Sequence, residues 1–149
     1  MLALHSPKNF TMYPPELVAP MRAELTQLGF EEMLSPEAVD NALKSEGVSL
    51  VVLNSVCGCA AGSMRPGVRK AIQSAQKLPN KLYTSFAGVD TDAVQRARQY
   101  MLPYPPSSPS IAIFKDGRLV HMVERHHIEG RTADMIAAHL QGAFEEFCN

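Results

Sequence analysis

Apolar residues along this chain form short unbroken runs in some segments and recur at helical spacing in others, so the pattern predicts strands alternating with helices. The run at residues 48–53 is apolar except for Ser49 and is rich in β-branched side chains, which is typical of a strand buried on both faces. The other runs are shorter and are bounded by turn residues. The predicted strands are residues 30–34, 48–53, 82–86, 111–114 and 119–123.

Helices are predicted between these strands, where apolar residues recur every three or four positions. Ser35-Pro36 predicts one helix start, because serine caps a helix and proline fits its first turn. Asp90 predicts another cap, and Pro66 predicts a kink or a second start inside its helix. The predicted helices are residues 16–28, 36–45, the segment from the cysteines to about residue 77, a segment after Asp90, and 133–147.

Asp116-Gly117 lies between the last two predicted strands, where an Asp-Gly pair is a strong signal for a tight hairpin. Strands and helices that alternate up to such a hairpin, with a helix after it, predict an α/β fold. We therefore expect a central mixed sheet of four to five strands, with an antiparallel edge and with helices on both faces. Residues 1–149 are expected to form a single domain, in which residues 1–14 are an N-terminal arm.

The composition excludes several classes of function. The chain has 149 residues, of which 46% are hydrophobic and 19% charged, as is ordinary for a soluble globular protein. Its net charge of −1 provides no field that would hold nucleic acid or an anionic membrane surface. No stretch approaches the ~20 apolar residues of a membrane span, and the N-terminus lacks the apolar core of a secretion signal. We therefore expect a cytoplasmic protein.

Cys57-Gly58-Cys59 is the feature that most narrows the function, because it follows the strand at 48–53 and precedes a predicted helix start. Reactive groups of α/β sheets lie beyond the carboxyl ends of strands, and a helix N-terminus lowers the pKa of a thiol. Cys57 is therefore the candidate nucleophile and Cys59 the resolving thiol. Gly58 has no Cβ and lets so short a loop close as a disulfide. A low and odd count of three cysteines does not suit a disulfide scaffold. Two thiols separated by one residue are better explained by catalysis, so thiol–disulfide exchange is the predicted chemistry.

The element order resembles the thioredoxin fold, and the sequence resembles more closely the bacilliredoxin family, whose members carry Cys-Gly-Cys in place of Cys-x-x-Cys. The resemblance extends over nearly the whole chain from about residue 15 onward. The matching segments are Asn54-Ser55-Val56-Cys57-Gly58-Cys59-Ala60-Ala61-Gly62 with Arg65-Pro66, Pro106-Ser107-Ser108-Pro109-Ser110, Arg125-His126, Ile128-Glu129-Gly130 and a cysteine near the C-terminus.

The resemblance implies a thiol–disulfide oxidoreductase or isomerase that exchanges protein disulfides or removes a low-molecular-weight thiol, of the bacillithiol type, from mixed disulfides. It implies no bound cofactor: the small thiol is a co-substrate, and client proteins with disulfides or S-thiolated cysteines are the partners. It also implies a cis Ser108–Pro109 peptide bond, with Pro109 against the active-site sulfurs. We expect Pro109, which Ser108 precedes, to keep the neighbouring backbone free to pair with a client. Because proline has no N–H, it does not compete for the sulfur.

Three residues have more than one interpretation from the sequence. Asn54 either fixes the loop by side-chain hydrogen bonds or is a plain turn residue. Arg65 adds positive potential near the thiolate, meets a carboxylate of the small thiol, or is a solvated helix residue. Cys148 is a second resolving thiol, a link to another molecule, or a partly exposed bystander.

Two other functions stay open. One is a thioredoxin-fold adaptor with vestigial thiols, which would not be an enzyme. The other is a soft-metal site for zinc or copper, although the histidines show no ligand spacing and two of them fall in a predicted loop. Its candidate ligands are Cys57, Cys59, Cys148, His121, His126 and His127. A homodimer through the long N-terminal helix is the one assembly that the sequence suggests.

Overall fold

Residues 12–149 are described by the computed structural model, so the predicted N-terminal arm lies outside the described residues except for its last three. The helices are α1 (Pro15–Thr26), α2 (Pro36–Leu43), α3 (Arg65–Ser74), α4 (Thr91–Tyr100), α5 (Arg125–Ile128) and α6 (Ala133–Phe147), and a π-helical turn (Ala60–Met64) leads directly into α3. The strands are β1 (Glu31–Glu32), β2 (Val48–Asn54), β3 (Lys81–Phe86), β4 (Ser110–Lys115) and β5 (Arg118–Val123). Within these residues, no helix combines the length and the apolar character needed to cross a bilayer.

The strands form one mixed sheet in the order β1-β3-β2-β4-β5, which confirms the predicted α/β class and the mixed sheet. β1, β3 and β2 run parallel, whereas β4 is antiparallel to β2 and β5 is antiparallel to β4. All seven residues of the central strand β2 are buried. Leu53 pairs with Ser110 and Ile111 with Val123, so the carboxyl ends of β2 and β5 lie at the same end of the sheet as the start of β4.

Helices cover both faces of the sheet. Successive side chains of a strand point to opposite faces, so the apolar residues of β2 supply one core on each side. Leu50 and Val52 of β2 belong to the core that α1, α3 and α6 cover. Val51 and Leu53 belong to the second core, under α2 and α4. A strand between two helical layers needs apolar residues on both faces, as this segment has apart from Ser49, so the strand predicted at residues 48–53 is confirmed.

Most predicted elements are confirmed, with ends that differ by at most three residues. Pro66 lies in the first turn of α3, so the predicted second helix start is correct. A π-helical turn replaces the regular helix expected after the cysteines, and α5 replaces a predicted loop. Asp90 is at the N-cap of α4, but its side chain makes no cap hydrogen bond. Its carboxylate instead accepts hydrogen bonds from Arg22 at 2.7 and 3.0 Å and from the Phe86 N–H at 2.8 Å.

Gly67 on α3 lies so close to α6 that no side chain fits there. A Cβ on Gly67 would lie 2.7 Å from the Cβ of Ile136 and 3.0 Å from the carbonyl oxygen of Ala133. Because Gly67→Ala forces the two helices apart, we expect the free energy of unfolding to fall by about 1–3 kcal/mol. Urea unfolding measures this change.

Gly142→Ala on α6 is the matched control, because a Cβ there meets no atom within 4 Å. Alanine in an exposed helix interior should raise the free energy of unfolding by about 0.5–1 kcal/mol. Equal stabilities for the two variants would show that α3 and α6 are not in the close contact described above.

Candidate active site

The two candidate cysteines lie beyond the carboxyl end of β2, in the turn that begins the helix leading into α3. The carbonyl of Cys57 accepts hydrogen bonds from the N–H groups of Ala60 at 2.9 Å and Ala61 at 3.2 Å. The Cys57 N–H donates to Ser55 Oγ at 3.1 Å. The first helical turn therefore starts at Cys57, where N–H groups without helical partners favour a negative charge.

The two thiols differ in acidity because the thiol of Cys59 donates a hydrogen bond to the sulfur of Cys57. The backbone N–H of Cys59 also donates to the sulfur of Cys57 at 3.3 Å. Partial burial raises the pKa of Cys57. Opposing effects come from hydrogen bonds donated by the Cys59 thiol and by the N–H groups of Cys59 and Ala60, and from the charge of Arg125. Together they outweigh burial and leave the pKa of Cys57 below its ordinary value. Burial and the hydrogen bond to Cys57 raise the pKa of Cys59 to about 11. Cys57 is therefore the thiol that ionises first.

Gly58 lies exposed between two half-buried cysteines. A Cβ on Gly58 would meet no heavy atom within 4 Å. The reduced site therefore has room for a side chain at this position. The advantage predicted for glycine concerns the disulfide state alone, and it stays a prediction.

A buried hydrogen-bond network holds the loop between β2 and Cys57. The side-chain amide of Asn54 donates to the Met21 carbonyl at 3.1 Å, and its Oδ1 accepts the Ser55 N–H at 2.8 Å. Arg65 Nη1 donates to the same Oδ1 at 3.0 Å and to the Ser55 carbonyl at 2.9 Å. Asn54 thus fixes the loop by side-chain hydrogen bonds and is more than a plain turn residue. Through Ser55 Oγ the network reaches the backbone of Cys57.

Arg65 is a buried cation, so one of its three interpretations, that of a solvated helix residue, is wrong. It is 2% exposed, and its Nε donates to Glu24 Oε2 on α1 at 3.0 Å. It is not among the residues that line the cleft beside Cys57, and its charge is not among the direct causes of the lowered pKa of that thiol. The two alternatives that placed Arg65 against the thiolate or a small thiol therefore gain no support from the geometry.

The Ser108–Pro109 peptide bond is cis, as the resemblance implies. Pro109 is buried directly before β4, and the antiparallel pairing of β4 with β2 places it beside Asn54. Ser108 lines the same cleft as Cys57. The structure therefore brings both residues to the loop that carries the nucleophile, while the pairing of a client with this backbone stays a prediction.

Two arginines at the cleft received no role from the sequence, although Arg125 lies in one of the segments that match the family. The cleft has a volume of about 590 Å³, and its lining includes Cys57, Gly58, Arg98 and Arg125. The hairpin places Arg125 there, because it returns β5 to the end of the sheet where Cys57 lies. Arg98 follows the buried Val94 of α4 by four residues and so lies on the apolar side of this helix. A charged side chain in that position is the sequence feature that could have marked Arg98 as a candidate.

Cys148 is buried, so its prediction as a partly exposed bystander is wrong. It is 4% exposed and packs in the core that α3 and α6 share. Burial raises the pKa of its thiol, which keeps it protonated near neutrality. A thiol in this position has neither the access nor the ionisation that a resolving group or an intermolecular link needs.

The structure does not assemble the ligand set of the soft-metal alternative. In the described part of the chain, the potential ligand residues that come together are Glu124, His126 and His127, with ligand atoms within 4.8 Å of one another. No cysteine belongs to this group. His127 Nδ1 accepts the Glu124 N–H at 3.1 Å as part of the cap of α5. His121 instead lies against His139, with 2.8 Å between their Nε2 atoms.

Sequence comparison connects the chain with proteins of disulfide chemistry. Residues 13–148 match the family model described as disulphide isomerase. A bacilliredoxin of Cytophaga hutchinsonii is 64% identical over 135 residues, which cover 91% of this chain and 99% of that protein. A bacilliredoxin of Bacillus cereus is 49% identical over 140 residues, which cover 94% of this chain and 96% of that protein.

Structural comparison shows the fold. A thioredoxin of Malassezia sympodialis superposes with a TM-score of 0.55 at 18% identity, covering 79% of this chain and 90% of that chain. The oxidized mitochondrial thioredoxin 3 of Saccharomyces cerevisiae superposes with a TM-score of 0.52 at 14% identity, covering 79% and 95%. The chain therefore has a thioredoxin fold and belongs to the bacilliredoxin family.

Proposed function

We propose that this protein is a thiol–disulfide oxidoreductase and isomerase that removes a small thiol of the bacillithiol type from S-thiolated proteins. The observation that carries the proposal is the 3.3 Å hydrogen bond from the Cys59 N–H to the Cys57 sulfur, at a helix start and beside an open cleft. This arrangement stabilises a thiolate and keeps a second thiol next to it. Membership of the bacilliredoxin family supports a role in disulfide chemistry in general.

In the first step, the Cys57 thiolate attacks the sulfur of the small thiol in a mixed disulfide with a client protein. A new S–S bond forms to Cys57, the old S–S bond breaks, and the client cysteine leaves as a thiolate that takes a proton from water. No net oxidation occurs, because one disulfide replaces another. The lowered pKa of Cys57 increases the fraction of attacking thiolate at a given pH.

In the second step, Cys59 loses its proton and attacks the Cys57 sulfur, so that the small thiol leaves and a Cys57–Cys59 disulfide forms. Three effects raise the pKa of Cys59: burial, its hydrogen bond to Cys57, and the negative charge of the Cys57 thiolate. The last two effects disappear once Cys57 is in a mixed disulfide, so Cys59 ionises more readily at that stage. Two electrons from two small thiols, which leave as their disulfide, or from another dithiol then restore the pair. Alternatively, a second small thiol that attacks the mixed disulfide makes Cys59 unnecessary.

The setting of the reaction follows from the same chemistry. We place the protein in the cytoplasm, where small thiols keep cysteines reduced. The small thiol is the co-substrate, the clients are proteins with disulfides or S-thiolated cysteines, and Ser108 and Pro109 provide the backbone beside which a client lies. Pairing of two copies through α1 remains a separate proposal.

Alkylation tests the activated thiol and separates an enzyme from an adaptor. At about pH 6 an ordinary thiol of pKa ~8.5 is almost fully protonated and reacts slowly. Because the pKa of Cys57 is lowered, its thiolate persists to lower pH. We expect iodoacetamide to label Cys57 about tenfold faster than a free cysteine under these conditions.

Peptide mass spectrometry after labelling provides the internal control, because Cys59 and Cys148 have raised pKa values and should remain unlabelled. The labelling rate measured against pH gives the midpoint for Cys57. A midpoint at or above that of a free cysteine would favour the adaptor and contradict the proposed function.

A further inference from the structure

Arg98 is a cation without an anion at the active-site cleft. It is half-buried, and its Nε atom is shielded from solvent with no hydrogen-bond partner among residues 12–149. Burial alone lowers the pKa of Arg98, and no neighbouring carboxylate opposes this effect. The guanidinium nevertheless stays charged near neutrality. A shielded charge that lacks a partner destabilises the free protein, and a bound anion would relieve that effect.

Four other arginines of the described chain have the carboxylate partners that Arg98 lacks. The salt bridges are Arg22 with Glu32 and Asp90, Arg65 with Glu24, Arg96 with Asp40, and Arg125 with Glu129. Arg96 lies only two positions away on the same helix, so the environment of Arg98 is a property of the cleft and not of α4 as a whole.

The rest of the cleft also suits an anion. Arg125 lines it as well, with Nη1 donating to the Ser108 carbonyl at 3.3 Å, and its charge helps to lower the pKa of Cys57. None of the described residues that line the cleft is acidic. Its volume of about 590 Å³ lies in the range of small-molecule sites, about 300–1,000 Å³.

Resting on the proposed function, we infer that Arg98 and Arg125 form a carboxylate subsite, which holds the small thiol by its carboxylate while its sulfur meets Cys57. The planar guanidinium matches a carboxylate with two parallel hydrogen bonds, so the subsite selects small thiols that carry this group. Arg98 is the better residue to test, because Arg125 also acts on the ionisation of Cys57 whereas Arg98 does not contribute to it.

Two disulfide reagents of opposite character test the subsite on the whole protein. Dithiobis(nitrobenzoate) carries carboxylates and dithiodipyridine is neutral, and both release a chromophore when Cys57 attacks. We expect Arg98→Gln to slow the anionic reagent about tenfold and to leave the rate of the neutral reagent unchanged. Arg98→Lys should retain part of the rate, and added salt should reduce the difference between reagents. Arg69→Gln removes the same charge from an exposed site on α3 and should change neither rate.

The pattern of rates distinguishes the two proposals. Wild-type protein that reacts with neither reagent faster than a free cysteine would overturn the proposed function. Fast reaction with the neutral reagent, together with an Arg98→Gln variant that slows both reagents equally or neither, would overturn the subsite alone. Arg98→Lys guards against a folding defect, because it keeps the charge and most of the side-chain volume.

A second measurement separates a carboxylate of the small thiol from one of the client. One client protein is S-thiolated either with mercaptosuccinate, which carries carboxylates, or with mercaptoethanol, which carries none. The subsite predicts that Arg98→Gln slows the release of mercaptosuccinate about tenfold and does not affect the release of mercaptoethanol. An equal effect on both adducts would assign the anion to the client and overturn the inference.

Discussion

Replacing Cys57 with serine abolishes the release of a small thiol from an S-thiolated protein, whereas replacing Cys59 with serine preserves the first attack and stops the reaction there. A serine hydroxyl does not ionise near neutrality, so Cys57→Ser lacks the nucleophile and should lose activity by about 10³-fold or more. Cys59→Ser keeps the backbone N–H that donates to the Cys57 sulfur at 3.3 Å and substitutes a hydroxyl donor for the thiol. The Cys57 thiolate therefore still forms.

Intact-mass spectrometry follows both variants after they are mixed with an S-thiolated client. Cys59→Ser should accumulate one small thiol on Cys57, and an excess of free small thiol should release it and restore turnover. Cys148→Ala is the matched control, because it removes a thiol that lies buried in the core and should leave the reaction intact. Identical behaviour of the two active-site variants would show that the cysteines do not have the unequal roles assigned here.

The local parts of the site could be predicted from the sequence, because they depend on neighbours in the chain. The position of Cys57 follows from a strand and a helix start, each of which has a local pattern. The hairpin at Asp116-Gly117 is equally local, and both residues have the positive φ values, 50° and 84°, that such a turn requires. No local pattern marks the π-helical turn, which has the same small residues as an ordinary helix.

The parts that could not be predicted depend on contacts between distant segments. Arg65 is buried because Glu24 of α1 and the loop at Asn54 meet its guanidinium, and the sequence around Arg65 contains neither partner. Arg98 lines the cleft because α4 packs on the face of the sheet beside that loop. An arginine next to a proline is most often solvated, so only the assembled fold distinguishes Arg65 from exposed arginines such as Arg69. For Arg98 the helical spacing from Val94 gives its side of α4, but only the fold shows that this side faces the cleft.

Arg65 connects three parts of the molecule with one side chain. Its Nε donates to Glu24 on α1 at 3.0 Å, and its Nη1 donates to Asn54 Oδ1 at 3.0 Å and to the Ser55 carbonyl at 2.9 Å. Ser55 Oγ in turn accepts the N–H of Cys57 at 3.1 Å. We therefore expect Arg65 to act on the nucleophile through the loop, as a positioning residue.

Arg65→Met should destabilise the protein by about 2–4 kcal/mol, because it leaves buried hydrogen-bond acceptors without a donor. This loss of stability is small for a buried ion pair, because the Glu24 side chain is 37% exposed and water can hydrate its carboxylate once Arg65 is removed. Arg65→Lys keeps the charge but not the several donors of the guanidinium. Its free energy of unfolding should lie between those of the wild type and Arg65→Met. The exposed Arg69→Gln serves as the control and should change stability by no more than about 0.5 kcal/mol.

The pH profile of Cys57 alkylation shows whether the effect of Arg65→Met reaches the active site. Without Arg65 the Ser55 carbonyl and the Asn54 side chain lose a shared donor, so the loop no longer holds Cys57 at the helix start. Since that placement provides the hydrogen bonds that lower the pKa of Cys57, the midpoint of alkylation should rise toward that of a free cysteine. A variant that unfolds at lower urea but retains the wild-type midpoint would make Arg65 a structural residue only, with Cys57 positioned by the helix start alone.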